Sequence, residues 1–102
     1  MGLFAAQQAA EKALKALFEH RGQRVWGHSL TYMLEALRQE GMEIPEPLWD
    51  AARILDKLYL PTRDPNGLAQ EAPTEFYTRR EAEDAIHYSE EVLRFCGRLL
   101  GR

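Results

Sequence analysis

The sequence contains a single cysteine, Cys96, so an internal disulfide is excluded. One cysteine fits a reducing compartment, and its place among apolar residues near the chain end predicts a buried side chain rather than a nucleophile. No apolar run approaches the roughly 18 residues of a membrane span, and no leader with basic residues before an apolar stretch is visible. From these absences we expect a cytoplasmic protein without a membrane partner.

An excess of positive charge is also missing. The chain has 13 lysines and arginines against 16 aspartates and glutamates, which gives a formal net charge of −3. A dedicated nucleic-acid binder is usually basic, so the composition predicts no DNA partner, although it leaves room for a local basic patch. Zinc-binding Cys/His spacings, glycine-rich phosphate loops and a nucleophile elbow are absent as well. We therefore expect no cofactor.

One pair of residues resembles a fragment of a metal site. Asp84 precedes His87 by three positions, and further carboxylates lie within one turn. Di-iron bundles need two such pairs and additional carboxylates on facing helices, whereas this sequence has one. A solvated, charged helix face accounts for the pattern, so we predict no metal.

Alternating β-branched residues are absent, and the apolar residues have helical spacing. The proline-containing segment 61–77 exceeds usual loop lengths and separates the last two helical stretches. At 102 residues the chain has room for one core. We predict a single all-α domain, residues 1–102, that is an antiparallel bundle of about four helices with one long loop before the last helix. Each of the four predicted helices has an apolar stripe, a row of apolar residues on one face. In chain order the stripes include Leu3, Ala6, Ala10, Leu14 and Leu17; Leu30, Met33, Leu34 and Leu37; Leu48, Ala51, Ala52 and Leu55; and Ala82, Ala85, Val92, Leu93, Cys96 and Leu99.

Two local contacts follow from spacing. Glu11 and Lys15 stand in the favourable i,i+4 order for a helical ion pair. Thr78 and Glu81 have the spacing of a capping box at the start of the last helix.

Four short segments carry a resemblance to a known family. They read QQAAEKALKA at residues 7–16, GHSL at 27–30, LDKLYLPTRDPN at 55–66 and YTRREAEDAI at 77–86. In this order they resemble the HEPN domain, the higher eukaryote and prokaryote nucleotide-binding domain, over nearly the whole chain. One departure is Asp64, where the family usually has tyrosine.

The resemblance implies a helical, dimeric protein, often encoded beside a small nucleotidyltransferase and frequently paired with it as toxin and antitoxin. Family members usually carry a further amphipathic helix before the first of these segments. We expect this chain to lack that helix, unless its true start lies upstream. The apolar stripe of the first helix would then need cover, so we predict a homodimer with the first helix at the interface.

Some HEPN proteins are metal-independent enzymes that cut RNA with an arginine and a histidine a few residues later. Arg80 and His87 match this spacing, as do Arg21 and His28, which lie away from the family's catalytic position. In such a site the histidine acts as general acid or base while the arginine stabilises charge on the scissile phosphate. The alternative is a solvated arginine and a surface histidine.

The long loop predicts a ligand-binding surface. Arg63 offers a planar guanidinium that binds two phosphate oxygens at once, Asn66 offers an amide, and Tyr59 or Tyr77 can stack on a base. His28 and Lys12 form a second, weaker candidate, for which the alternative is a histidine that caps a helix near a turn. Structural roles compete with this reading, because Arg63 can cap helix carbonyls and the segment around Asn66 is typical of a turn.

Together these observations favour a nucleotide- or RNA-associated binding module, the HEPN half of a nucleotidyltransferase-linked pair. A metal-independent endoribonuclease using Arg80 and His87 is the first alternative. A helical dimerisation scaffold without a ligand is the second.

Overall fold

The computed structural model describes residues 3–59 and 78–101. Within these ranges the chain forms four α-helices and no strand: α1 (Leu3–His20), α2 (Leu30–Gln39), α3 (Glu46–Asp56) and α4 (Arg79–Leu99). The predicted all-α bundle of four helices is thereby confirmed. The predicted long loop, residues 61–77, lies outside the described residues. No helix of the described chain is long and apolar enough to cross a bilayer.

Local sequence signals account for the helix ends. Ser29 is the N-cap of α2 and its side chain accepts a hydrogen bond from the N–H of Tyr32. Pro47 stands in the first turn of α3, where a missing N–H costs nothing. Thr78 and Glu81 form both hydrogen bonds of a capping box at the start of α4, as the sequence predicts.

The core lies where α4 packs against α1 and α3, with α2 packed mainly on α3. Small alanines on α1 and α3 let neighbouring backbones approach closely, while leucines of all but the last helix fill the centre. Ala6 and Ala10 are fully buried inside the monomer. Leu14 and Leu17 of the same α1 stripe are buried as well, so these four residues are covered by the bundle itself. The homodimer with the first helix at its interface stays a prediction. The largest fully buried core side chains include Leu14, Leu17, Leu30, Met33, Leu34, Leu37, Leu55, Val92 and Cys96.

Candidate functional site

Two of the residues predicted to bind a ligand come together in the structure. The rings of His28, in the loop before α2, and Tyr59, just after α3, are stacked with centroids 4.2 Å apart and planes 15° apart. His28 is exposed and Tyr59 is half-buried. The other predicted ligand residues, Arg63, Asn66 and Tyr77, lie outside the described residues. The structure thus builds an aromatic pair at the point where the chain leaves α3.

Asp56 holds the two chain segments of this pair together. One carboxylate oxygen accepts a hydrogen bond from the N–H of Leu30 at 2.6 Å. The other accepts from the N–H of Thr31 and from the hydroxyl of Ser29, both at 3.1 Å. Carboxylates are stabilised at helix N-termini because free N–H groups and the helix dipole point at them. Asp56 therefore fixes the start of α2, next to His28, against the end of α3, one turn before Tyr59.

A charged network on α1 fixes the His28 ring. Its Nδ1 lies 3.1 and 3.0 Å from the two carboxylate oxygens of Glu11. Glu11 also accepts hydrogen bonds from Lys15 Nζ and Gln7 Nε2, each at 3.0 Å. The predicted Glu11–Lys15 ion pair is confirmed, and the histidine is an addition that helical spacing could not indicate.

Gln7 is fully buried and joins this network to the loop. Its Nε2 also donates to the carbonyl of His28 at 3.3 Å, while its Oε1 has no partner among the described residues. Burial alone would raise the pKa of Glu11, but the hydrogen bonds from Gln7, Lys15 and His28 outweigh burial and lower it. Glu11 is thus an anion near neutral pH.

The anionic Glu11 decides which imidazole nitrogen can meet a ligand. A carboxylate only accepts hydrogen bonds, so Nδ1 of His28 carries the proton that faces Glu11. Nε2 is then an acceptor when the ring is neutral and a donor when it is protonated. Lys12, weighed with His28 as a weaker candidate, is not among the hydrogen-bonded neighbours of His28, which are Glu11 and Gln7.

Arg80 and His87, the predicted catalytic pair, both lie on the exposed side of α4. Nε2 of His87 lies 3.1 Å from a carboxylate oxygen of Glu91. The rings of His87 and Tyr88 are arranged edge to face, with their centroids 6.0 Å apart. Arg80 has no hydrogen bond or ion pair with any described residue. The two side chains are two helical turns apart, so within one copy the structure does not bring them into contact.

The other Arg/His match does not form a pair. Arg21 binds Glu40 at 2.8 Å, whereas His28 binds Glu11. Across residues 3–59 and 78–101, no three His, Cys, Asp or Glu side chains cluster in a way that could hold a metal ion.

A groove of about 350 Å³ lies between the end of α3 and the start of α4. It begins immediately before Tyr59 and contains carboxylates, one lysine and one tyrosine on an apolar floor. The residues that line it are Ile54, Lys57, Leu58, Glu81, Asp84 and Tyr88. Sequence spacing did not reveal this groove, because its two walls come from distant helices.

The chain is similar to one protein family and to several solved structures. The family model of the HEPN domain matches residues 1–99. The Thermus thermophilus protein TT1696 is 45% identical with a TM-score of 0.80, and the match covers 95% of this chain and 76% of that one. No protein among curated sequences matches.

Two further solved structures are similar. An HEPN domain protein from Thermotoga maritima is 42% identical with a TM-score of 0.74, over 98% of this chain and 78% of that one. An archaeal HEPN homologue is 34% identical with a TM-score of 0.72, over 95% of this chain and 75% of that one.

Proposed function

Since this chain belongs to the HEPN domain family, we propose that it is a nucleotide- or RNA-associated binding module whose stacked His28–Tyr59 pair receives a base. The observation that carries the proposal is the stack itself, in which two rings from distant parts of the chain lie at the surface with centroids 4.2 Å apart. The His28 side chain is 48% exposed. Stacking on an aromatic side chain contributes about 1–3 kcal/mol per base and tolerates any base.

Phosphate recognition would come from groups beside the stack. Nε2 of His28 can donate a hydrogen bond when the ring is protonated. Arg63 follows Tyr59 by four positions and stays the predicted phosphate ligand, since its planar fork binds two oxygens. The network of Glu11, Lys15 and Gln7 would hold His28 in place, so ligand binding would not have to order that ring.

The test compares two tyrosines. Tyr59→Leu should weaken binding of a labelled single-stranded oligonucleotide, or of a nucleotide, by roughly five- to hundredfold, the equivalent of one lost stacking contact. Tyr32→Leu is the matched control, because Tyr32 is 64% exposed on α2, outside the cluster. Fluorescence anisotropy measures the affinity and circular dichroism checks folding. Equal affinities of both variants and the parent would place the ligand elsewhere, and no binding by the parent would favour the scaffold.

A second comparison isolates the phosphate contact. Arg63→Ala should lower affinity roughly ten- to hundredfold, the loss of one charge-assisted bidentate contact, and Arg63→Lys should recover only part of it. Arg53→Ala serves as control, because Arg53 is an exposed α3 residue paired with Asp50. If Arg63→Ala unfolds the protein, the arginine is structural.

The family resemblance also supports a partner, a small nucleotidyltransferase encoded next to this chain. Co-expression with the product of the neighbouring gene, followed by size-exclusion chromatography, tests the pairing. Separate elution of the two proteins at micromolar concentration would contradict it.

The alternative activity, metal-independent cleavage of RNA, is favoured by one observation. His87 is exposed and its Nε2 is oriented by Glu91, as an imidazole acting in acid–base catalysis needs to be. Two such α4 helices facing each other would be required to bring Arg80 and His87 together. Parent protein should then cut single-stranded RNA in the presence of a chelator, and His87→Ala should abolish cleavage while the control His20→Ala does not. Cleavage by His87→Ala at the parent rate would remove His87 from the reaction.

A further inference from the structure

The loop between α1 and α2 presents a row of exposed side chains that ends at the stacked His28–Tyr59 pair. Arg24, Trp26 and His28 are all exposed, whereas Val25, between the first two, packs against the core. We call these three exposed residues the Trp26 row. Trp26 itself is 77% exposed. Tryptophan is highly buried on average, so an indole left in solvent beside a proposed ligand site is the feature to explain.

The spacing of the row suits successive bases of one strand. A single residue, Gly27, separates Trp26 from His28. Two residues of chain span at most about 7 Å, whereas stacked bases of one strand follow each other at about 3.4 Å. The two side chains therefore leave the loop within about two nucleotide steps of each other. A base at the His28–Tyr59 pair has its neighbour in the strand within reach of the indole.

Contacts at both ends hold the row in place. At its start the N–H of Gln23 donates to the carbonyl of Phe18 at 2.8 Å. At its end the buried Gln7 donates through Nε2 to the carbonyl of His28 at 3.3 Å. Val25 adds its contact with the core between these two points. A ligand therefore does not have to order this loop in order to bind, which preserves affinity.

The row lies in the local basic patch that the composition of the chain left open. Residues 12–28 carry four lysines and arginines and a single glutamate, in a chain with a net charge of −3. Two of the four are already paired with glutamates, at 3.0 and 2.8 Å. Arg24 lines the grooves on both sides of Trp26 and has no ion pair or hydrogen bond with a described residue. Glu19 lines the groove towards α1 and is the anion that limits the attraction for a phosphate there.

We propose that Trp26 is a second stacking position and that the ligand is a single strand of RNA rather than a free nucleotide. This inference rests on the proposed function, because the first base has to occupy the His28–Tyr59 pair. The neighbouring base stacks on Trp26, and the guanidinium of Arg24 contacts the phosphate that follows it. Stacking rings combined with cations are the means by which proteins hold single strands without reading their sequence. A free nucleotide would fill the first position and leave Trp26 and Arg24 unused.

Two ligands separate the two positions. Adenosine 5′-monophosphate should need only the His28–Tyr59 pair, whereas a labelled single-stranded oligoadenylate RNA should need Trp26 as well. Trp26→Ser should weaken RNA binding roughly five- to hundredfold, the loss of one stacking contact, and leave the affinity for the mononucleotide unchanged. Tyr59→Leu should weaken both. Leu93→Ser is the control, because it removes an exposed apolar side chain from α4, outside the row.

Salt dependence tests the phosphate contact independently of the ring. For single strands each phosphate contact contributes about 0.7 to the slope of log affinity against log salt, so Arg24→Ala should lower the slope for RNA by that amount. The mononucleotide should show no such change. Glu19→Gln removes the opposing anion and should tighten RNA binding. Anisotropy measures the RNA affinities, calorimetry those of the mononucleotide, and circular dichroism checks that each variant is folded.

The outcomes distinguish this inference from the proposed function. If Trp26→Ser binds RNA as tightly as the parent, the indole lies outside the strand and the inference is wrong, while mononucleotide binding that depends on Tyr59 leaves the proposed function standing. If Trp26→Ser weakens both ligands equally, the indole belongs to the first position and no second position exists. An unchanged salt slope in Arg24→Ala removes its phosphate contact. If the parent binds neither ligand, or Tyr59→Leu binds both as tightly as the parent, the proposed function fails and the inference with it.

Discussion

Replacement of Asp56 should destabilise the fold far more than its position near a helix end suggests. Its carboxylate accepts hydrogen bonds from the N–H groups of Leu30 and Thr31 and from the hydroxyl of Ser29, at 2.6, 3.1 and 3.1 Å. Losing a hydrogen bond to a charged group inside a protein costs about 1.5–3 kcal/mol. Water reaches the start of α2, because Ser29 is exposed, so we reduce the sum of three bonds by about half.

This reasoning gives a loss of roughly 2–4 kcal/mol in the free energy of unfolding for Asp56→Ala. For a domain of this size the corresponding fall in Tm is roughly 10–30 °C. Asp56→Asn keeps one acceptor oxygen, so its free energy of unfolding should fall by about half as much as that of Asp56→Ala. Urea unfolding followed by circular dichroism measures these values for the parent and both variants.

The control is Asp50→Ala on the same helix. Asp50 is paired with Arg53 at 3.0 Å, but both side chains are more than half exposed, so its loss should cost under about 1 kcal/mol. If Asp56→Ala costs no more than Asp50→Ala, the tie between α2 and α3 is not a stabilising contact and our account of how His28 meets Tyr59 fails.

Three further predictions concern single groups. The pKa of Glu11 is lowered in the folded protein from an ordinary value of 4.5, so its stabilising effect is present above that pH and is lost as pH falls through the folded value. Glu11→Gln should therefore unfold in less urea than the parent near neutral pH, with a gap that closes in acid; a gap that widens in acid contradicts this. Burial raises the pKa of Cys96 to about 11, so a disulfide reagent should react with native protein only as fast as the core opens, and rapid labelling would contradict that. Thr78→Ala should cost about 1 kcal/mol through the lost capping box, while Thr78→Ser should stay within a few tenths of the parent.

The sequence predicted the features whose determining residues lie within one or two helical turns of each other. Helical spacing identified the buried positions of α2 and α3, and the capping box at Thr78 depends on residues three apart. The same spacing included Leu93 and Leu99 in the apolar stripe of α4, yet these side chains are 40% and 41% exposed. Spacing reports which residues share a helix face; whether a neighbour covers that face depends on tertiary packing.

The candidate site combines residues that no local pattern connects. His28 and Tyr59 were each identified as ligand candidates, but their stacking depends on Asp56 reaching the start of α2 from the end of α3. Glu11 was recognised only as the partner of Lys15, because a helical spacing rule contains no information about a histidine from the following loop. One signal was present in the sequence: the GHSL and LDKLY segments carry the family resemblance together, and the structure shows them in contact through Asp56.

Gly27 lies directly before His28, in the loop that leads into α2. Its φ of +92° lies in the region that side chains with a Cβ rarely adopt, although a Cβ there would meet nothing within 4 Å. The cost of Gly27→Ala is therefore backbone strain alone, more than about 1 kcal/mol. The loop can relieve this strain by changing its backbone angles, which would move the His28 ring away from its place against Tyr59.

We expect Gly27→Ala to weaken oligonucleotide binding, as Tyr59→Leu should, because both changes disturb the stacked His28–Tyr59 pair. Gly97→Ala is the matched control, since Gly97 lies within α4 with nothing within 4 Å of its Cβ position, and it should stabilise the protein by about 0.5–1 kcal/mol. Fluorescence anisotropy measures the affinities, and circular dichroism checks that both variants are folded. If Gly27→Ala binds the oligonucleotide as tightly as the parent, the geometry of this loop does not position His28 for the ligand.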